Sequence, residues 1–401
     1  MQYHKLMKEP KDLEFDHHTQ QFVDDPYSIY RALRDNDPAC YSSNHGGFWL
    51  LSRYDDVRHV LLDTDSFSSG CPGRVAIPNT SRTPPTPLIP IEVDPPLHAQ
   101  YRSAVADYFT KNNVRRFDAE AIRLASSIID DFLPNGRCEV VGEYAEPFFS
   151  QLLAVFLGLP VQDSKLWIAW AKAIFAERVN DPEGAEHARS ELQSYVDDIF
   201  VSRMGQPGSD IFSRILELTI DGQKLSTEEL RGFGMEILLA GREATIDGIS
   251  NTISYLGEHP HEQLKLTDSP NLLPAAVEEI LRWDSPIQLL GRVASKDTTI
   301  HGQTIREGES VAAMYGSANH DERKFGQASK CILDRESGSH LAFGVGPHTC
   351  VGLHLARLGL VIAVSQFLER TRGFVLANKA ERKPNGDARG FISLTVDFSP
   401  G

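Results

Sequence analysis

The chain has 401 residues, of which 41% are hydrophobic and 24% charged, a composition typical of a globular protein with a large core. Its formal net charge of −15 argues against partners that are themselves anionic, namely nucleic acid and an acidic membrane surface. The five cysteines include no Cys-x-x-Cys pair, which argues against a zinc ribbon, a ferredoxin-type cluster and a disulfide framework.

The N-terminal segment from Met1 to Asp16 is polar and contains neither an apolar signal segment nor a bilayer-spanning run. We therefore predict a cytoplasmic protein without a membrane anchor. Asp25-Pro26 predicts the start of a helix that continues to about Asn36, with proline in its first turn. Residues 1–24 are accordingly interpreted as an N-terminal extension and residues 25–401 as a single large domain.

A pair of basic side chains follows a long proline-rich loop. Residues 94–102 read Asp-Pro-Pro-Leu-His-Ala-Gln-Tyr-Arg, and they predict a helix on which His98 and Arg102 share one face. Two donors on one face suit an acidic ligand group. Taken alone, such a pair more often marks a face of a helix that simply contacts water.

A long helix is predicted from the capping box Ser226–Glu229 to about Gly257. Small residues recur along one stripe of it, although glycine lowers helix stability by about 1 kcal/mol per position. Either a flat ligand or a closely packed helix would favour such a stripe, which consists of Gly234, Ile237, Gly241, Ala244 and Gly248.

One cysteine lies between a glycine-rich loop and an apolar segment that predicts a helix. Residues 343–357 read Phe-Gly-Val-Gly-Pro-His-Thr-Cys-Val-Gly-Leu-His-Leu-Ala-Arg. A cysteine at a helix start is favoured as thiolate, and an unpaired thiolate is a soft metal ligand. A buried free cysteine would be the ordinary interpretation of Gly-x-x-x-Cys alone. The complete pattern, however, resembles the haem-binding signature of the cytochrome P450 family, in its bacterial form without a membrane anchor.

This resemblance implies a cofactor, haem b (iron protoporphyrin IX), with Cys350 as the axial ligand of the iron. It also implies that His98, Arg102, Arg292 and His348 bind the haem propionates. The other residues that it assigns to the haem site are Ala240, Gly241, Phe343, Gly344 and Gly352. Glu279 and Arg282 resemble the Glu-x-x-Arg pair of the family, which braces the fold and is not catalytic.

Residues 240–245, Ala-Gly-Arg-Glu-Ala-Thr, resemble the distal motif of the family. The catalytic positions implied are Glu243, Ala244 and Thr245, but the family has threonine where this chain has Ala244. Thr245 is displaced by about 100° around a helix, so it does not simply replace that hydroxyl. Two explanations stay open: substrate groups and ordered water carry the proton, or the chemistry tolerates altered delivery, as in radical coupling.

The residues that follow Pro286 are predicted to be extended and to line the substrate pocket. They are Ile287, Gln288, Leu289 and Leu290, of which Gln288 is the polar exception that would hydrogen-bond substrate. Ile392 belongs to the last predicted substrate-contact segment. The fold class implied is mainly α with a small β region, built from the N-terminal strands and from residues near 290–315 and 390–398, as in the cytochrome P450 fold.

The implied activity is that of a monooxygenase, which activates O2 reductively and oxidises a small organic substrate. No flavin or nicotinamide motif is present, so electrons from NAD(P)H are expected to come through a ferredoxin and a ferredoxin reductase. Arg357 and the basic residues around His98 are candidates for their docking. Overall resemblance alone suggests tailoring of a bacterial secondary metabolite, such as an aromatic cyclic dipeptide. A haem sensor or carrier without turnover, and a peroxide-driven peroxygenase, remain alternatives.

Overall fold

The computed structural model describes residues 12–77, 86–177, 181–206, 208–336, 339–384 and 386–400, and within them the chain is mainly helical, as predicted. The helices are α1 Gln20–Asp24, α2 Pro26–Asn36, α3 Tyr54–Leu62, α4 Leu97–Ala106, α5 Lys111–Val114, α6 Asp118–Phe132, α7 Glu146–Leu157, α8 Ser164–Ala171, α9 Pro182–Val201, α10 Ile211–Glu217, α11 Thr227–Ala240, α12 Glu243–Glu258, α13 Pro260–Asp268, α14 Leu273–Trp283, α15 Tyr315–Ala318 and α16 Leu353–Arg370. No helix in these ranges is both long and apolar enough to cross a membrane.

The strands form a small β region at the side of the helices. They are β1 Ala39–Ser42, β2 Phe48–Leu51, β3 Phe67–Ser68, β4 Arg137–Glu139, β5 Thr219–Ile220, β6 Gln223–Lys224, β7 Leu290–Ala294, β8 Thr298–Ile300, β9 Gln303–Ile305, β10 Ser310–Ala313, β11 Thr371–Leu376, β12 Glu381–Arg382, β13 Phe391–Ser393 and β14 Thr395–Pro400. The largest sheet has the order β1-β2-β10-β7-β3, in which only β2 and β10 run parallel. A second sheet has the order β11-β14-β4, and three two-stranded ribbons complete the described strands.

The main core lies where α12 and α16 cross the other long helices. Two glycines permit the close approach: a Cβ on Gly248 of α12 would meet Leu360 of α16 and Leu281 of α14, and one on Gly359 of α16 would meet Phe149 of α7. Glycine suits such positions because a side chain there would occupy space that the neighbouring helix fills. These contacts hold α16, and with it the cysteine loop that precedes it, against the centre of the molecule.

The long helix predicted to run to Gly257 is interrupted, and this part of the prediction is wrong. The capping box at Ser226 is present, but α11 ends at Ala240 and α12 begins at Glu243. Arg242 leaves the helical region at φ −120° and ψ −58°. Glycine at 241 weakens the helix at this point, and the Arg242 guanidinium is buried beside the Glu243 carboxylate.

The small-residue stripe therefore serves two purposes. Gly234 packs against Val196 of α9, and Gly248 packs against α14 and α16, so helix packing explains both. At the interruption, by contrast, Ala240 and Gly241 are exposed and Ala244 is partly exposed. Only this middle part of the stripe is open to a ligand.

Candidate active site

The cysteine loop is shaped by its glycines and by one backbone hydrogen bond. Gly344 and Gly346 have φ of 68° and 81°, in the left-handed region that glycine adopts without strain. The Cys350 N–H donates to the Phe343 carbonyl at 2.8 Å, which folds the loop back on itself. Cys350 is thereby placed just before the N-terminus of α16, with Gly352 as the N-cap of the helix.

Burial dominates the chemistry of the cysteine thiol. It raises the pKa of Cys350, while a hydrogen bond from the Gly352 N–H and the charges of Arg102 and Arg357 lower the pKa to a smaller extent. The expectation that the helix start alone favours the thiolate is therefore wrong on balance. The side chain is nevertheless accessible, so a ligand can reach the sulfur. A bound metal ion would make the thiolate the stable form.

Four basic side chains meet near this cysteine from three parts of the chain. His98 and Arg102 come from α4, Arg292 from β7 and His348 from the cysteine loop. The rings of His98 and His348 lie 4.2 Å apart between centroids. Burial, together with the nearby Arg292, His98 and Arg102, lowers the pKa of His348 to about 3. The structure thus brings together the four residues predicted to bind the propionates, and that role stays a prediction.

This cluster has the chemistry of a site for carboxylates. Within the part of the chain that the structure describes, the Nε2 atoms of His98 and His348 are buried without a hydrogen-bond partner, and neither Arg102 nor Arg292 has an ion pair with an acid. Unpartnered buried donors and like charges are costly unless an anion joins them. The two propionates of a haem would supply that anion, and a soft thiolate ligand lies beside them, so the residues fit the group.

The predicted brace between Glu279 and Arg282 is present on α14. The Arg282 guanidinium uses all of its N–H groups: two bonds of 2.8 Å to Glu279 and three to the backbone carbonyls of Asn319, Ala328 and Lys330. The Asn319 side-chain oxygen in turn accepts from the Leu341 N–H at 2.7 Å. A chain of hydrogen bonds therefore leads from the brace to the start of the cysteine loop.

A second acid on α14 holds both sides of the loop. Glu278 accepts two hydrogen bonds of 2.7 Å from Arg357 of α16. It also lies 3.1 Å from Nε2 of His340, the residue at which the loop begins. These partners outweigh burial and lower the pKa of Glu278 to about 2. Arg357 is thus engaged within the protein, and its predicted part in docking a redox partner is weakened. His98 is buried and cannot take part in docking.

Replacing Glu278 by glutamine is expected to lower stability in a pH-dependent way. A carboxylate with a depressed pKa contributes stability above its unfolded value of 4.5, and that contribution is lost as the pH falls towards 2. We expect E278Q to lose about 1–2 kcal/mol near pH 7, because the partly exposed Arg357 is screened by water. The gap should narrow at about pH 3.5. Urea unfolding of both proteins at the two pH values measures it, and a gap that is constant or wider in acid would contradict the expectation.

The acid of the distal segment lies in a charged network. The Arg242 guanidinium donates to Glu243 at 2.5 Å, and Nζ of Lys383 lies 3.1 Å from the other Glu243 oxygen. The same Nζ lies 2.7 Å from Asp247, one turn further along α12. The Asp247 contact is close but poorly aligned, since both of its oxygens lack a hydrogen bond of good geometry. Thr245 is buried, while Ala244 is partly exposed, in keeping with their different directions on the helix.

The acids in and near this network differ in pKa. Arg242 and Lys383 keep the pKa of Glu243 low despite its burial. Burial raises the pKa of Asp247 to about 6, opposed by Lys383. Glu236, one turn before Ala240, has its pKa raised to about 8 by burial and by the nearby Glu92. Sequence reasoning missed Asp247, Glu236 and Lys383; the four-residue spacing of the first two from Glu243 and Ala240 was a usable signal, but nothing in the sequence pointed to Lys383.

Comparison with known proteins decides the family. The family model described as Cytochrome P450 matches residues 39–396.

The chain belongs to the cytochrome P450 family. A cytochrome P450 from Bacillus subtilis is 31% identical over 95% of both chains. Nocardicin C N-oxygenase from Nocardia uniformis is 31% identical over 88% of this chain and 90% of its own. The solved structure of PksS, the P450 of the Bacillus subtilis bacillaene polyketide synthase, is similar to this chain with a TM-score of 0.87 and 26% sequence identity. The similarity covers 96% of this chain and 100% of PksS.

This P450 is accordingly a monooxygenase, an oxidoreductase of the haem-iron class, and the predicted P450 fold is confirmed. Because the family consists of haem-dependent enzymes, its membership argues against the alternative of a haem carrier without turnover. The individual predicted roles of site residues remain predictions, which the geometry above supports for Cys350 and for the four bases.

The predicted substrate-contact segment needs correction at two positions. Gln288 is 1% exposed, and its amide accepts from the Tyr30 hydroxyl and donates to the Ser285 carbonyl, both at 2.6 Å. Its side chain is therefore occupied within the protein and is not placed to bind substrate. Leu289 is buried in the core below β2 and β10. Ile287 and Leu290 are partly exposed and Ile392 is half exposed, so these three remain candidates.

Proposed function

We propose that this P450 oxidises a small organic substrate in the tailoring of a bacterial secondary metabolite. Cys350 and the four bases around it carry the proposal, because together they form a site for a haem whose iron has a thiolate ligand. The substrate class is suggested by two relatives, one named for nocardicin C and the other for the bacillaene polyketide synthase. We further propose that the protein acts in the cytoplasm.

Bound to these residues, haem b would activate O2 with electrons from a partner protein, which is the chemistry of the family. The chain's own residues would contribute in three places. Cys350 would bind the iron. Arg102 and Arg292 would offset the charge of the propionates, His98 and His348 would donate hydrogen bonds to them, and together these four would orient the ring. The interruption between α11 and α12 exposes Ala240 and Gly241, which small molecules could approach.

Protons would reach the distal side without a threonine at position 244. Glu243 is the acid adjacent to Ala244, and the Arg242 and Lys383 charges keep it ionised. Asp247 holds a proton more readily at neutral pH, because its pKa is about 6. We propose that Lys383, which contacts both acids, connects them, and that water or a substrate hydroxyl or amide completes delivery near Ala244.

The substrate and the type of oxidation form the finer part of the proposal. We propose hydroxylation or radical C–C or C–N coupling, with an aromatic cyclic dipeptide as the first substrate class to test. Ferredoxin and ferredoxin reductase are the proposed electron donors. A screen for compounds that shift the haem Soret band from low to high spin tests substrate binding. Substrate-dependent NADPH consumption with surrogate redox partners then tests turnover.

Two outcomes of these assays would overturn the proposal. Product formation with peroxide that is unaffected by omitting the redox partners would favour the peroxygenase alternative. Absence of substrate-dependent NADPH consumption for every compound that shifts the Soret band would argue against oxidation of this class of substrates.

Replacing Ala244 by threonine is expected to restore a positioned hydroxyl and to raise the ratio of product to NADPH consumed. A positioned proton donor contributes about 10²-fold or more in favourable cases, so we expect a change of at least several-fold. A244V has nearly the same shape and no hydroxyl, which makes it the matched control. Equal coupling and equal product patterns in the two variants would show that the missing hydroxyl has no mechanistic importance.

A further inference from the structure

Three imidazole rings converge on the side of the molecule where the N-terminal segment packs against the β region. His17 and His18 lie just before α1, and His45 lies in the turn between β1 and β2. Each ring offers a nitrogen, and the three nitrogens lie within 4.8 Å of one another. The ring centroids are separated by 4.1 Å for His17 and His18, 5.4 Å for His17 and His45 and 5.2 Å for His18 and His45.

His17 is the innermost of the three. Its side chain is fully buried, and its Nε2 lies 2.7 Å from the Ile77 carbonyl. A carbonyl can only accept, so Nε2 carries the proton and Nδ1 carries a lone pair. Among the described residues nothing donates a hydrogen bond to that buried Nδ1.

His45 is oriented in a similar way by an acid. Its Nε2 lies 2.8 Å from a carboxylate oxygen of Asp16, which fixes the proton on Nε2 and leaves Nδ1 as an acceptor. A carboxylate or carbonyl that holds the far nitrogen of a histidine is the usual outer partner of a metal-bound imidazole. His45 also has a φ of 55°, unusual for a residue other than glycine, and this conformation presents its ring from the turn.

His18 completes the group. Its Nδ1 lies 3.4 Å from the Gly386 N–H, longer than an ordinary hydrogen bond, so a stronger ligand can displace this contact. Gly386 lies in the segment that joins β12 to β13. The three rings therefore stand where the N-terminal segment, the β1–β2 turn and the C-terminal hairpin meet.

We propose that His17, His18 and His45 bind one Zn²⁺ ion, with water in the fourth position. Three neutral imidazoles suit zinc, which prefers four ligands of this kind in tetrahedral geometry. Asp16 and the Ile77 carbonyl act as outer partners that orient the rings. The ion fastens the N-terminal segment to the β region and is independent of the haem site.

Titration of the haem-loaded, tag-free protein with ZnCl2 after removal of bound metal by a chelator tests this proposal. We expect one zinc ion per chain by calorimetry and by elemental analysis. H18A and H45A should each weaken zinc binding by more than about 100-fold, and D16N by about 10-fold, the effect expected of an outer partner. These sites are chosen because His18 and His45 are not buried, whereas H17A would place a cavity in the core.

H187A is the control, because His187 is a well-exposed histidine beside an acid on α9. It should bind zinc like the wild type, and all variants should keep the CO-bound spectrum of the wild type. Failure of the wild type to bind one equivalent of zinc would overturn the proposal. So would binding that H18A and H45A leave unchanged, or that H187A weakens as much as they do.

Discussion

The C350S variant should lose the absorption band that the reduced, CO-bound protein owes to thiolate ligation, and its monooxygenase turnover should fall to background. Serine has nearly the shape of cysteine, so the loop held by the Phe343 carbonyl should keep its fold. A hydroxyl, however, is a harder ligand and stays protonated at a pH where an iron-bound thiol is ionised. The change therefore removes the ligand and leaves the loop in place.

Absorption spectra and haem content per chain measure this effect, with C71S as the matched control. Cys71 is a free and partly exposed cysteine in the loop after β3, so its replacement should leave the spectrum unchanged. Cys138 is a poor alternative ligand because it is fully buried, and burial raises the pKa of its thiol. A thiolate band that persists in C350S would show that the assignment of the axial ligand is wrong.

Replacing Arg282 by alanine should destabilise the protein by about 3–5 kcal/mol and should reduce haem retention. The variant leaves the buried Glu279 carboxylate without its principal partner and removes the Arg282 donor from three backbone carbonyls, of which, among the described residues, only that of Lys330 keeps a second donor, Arg335. One of these carbonyls belongs to Asn319, whose side chain holds the start of the cysteine loop. The destabilisation should therefore reach the haem site.

The matched control is R123A on α6. Arg123 makes the same two-pronged contact with an acid three residues away, Glu120, but on the surface, with the arginine side chain 62% exposed. An exposed pair contributes only about 0–1 kcal/mol. Urea unfolding with measurement of haem content compares the two. Similar losses for R282A and R123A would show that burial of the brace is unimportant.

Several elements could be predicted from sequence because they depend on local chemistry. The capping box at Ser226 and the helix that begins at Pro26 both follow from side chains within the first turn of the helix. The cysteine loop was equally clear, since its glycines and its cysteine lie in one continuous segment. The types of these residues are enough to predict the conformation of the loop and its metal ligand without reference to the rest of the chain.

Other features required the fold. Glycine 241 marked a weak point in the long helix, but only the structure shows that the helix is interrupted there and that the Arg242 side chain is buried. The Gln288 side chain was predicted to bind substrate. In the folded chain its amide oxygen instead accepts a hydrogen bond from Tyr30, which is 258 residues away in sequence. Lys383 gave no signal at all, because its importance lies only in its distance from Glu243 and Asp247.

The sequence by itself determined the class of this protein, because its motifs resemble those of the cytochrome P450 family. Through the same resemblance it predicted the residue that would hold the iron and the basic residues around it. The tertiary structure decided how charges are shared, for example that burial outweighs the helix start at Cys350 and that three histidines from two segments meet. Desolvation and long-range contacts exist only after the chain has folded, and they set the pKa values and the partners of every buried group.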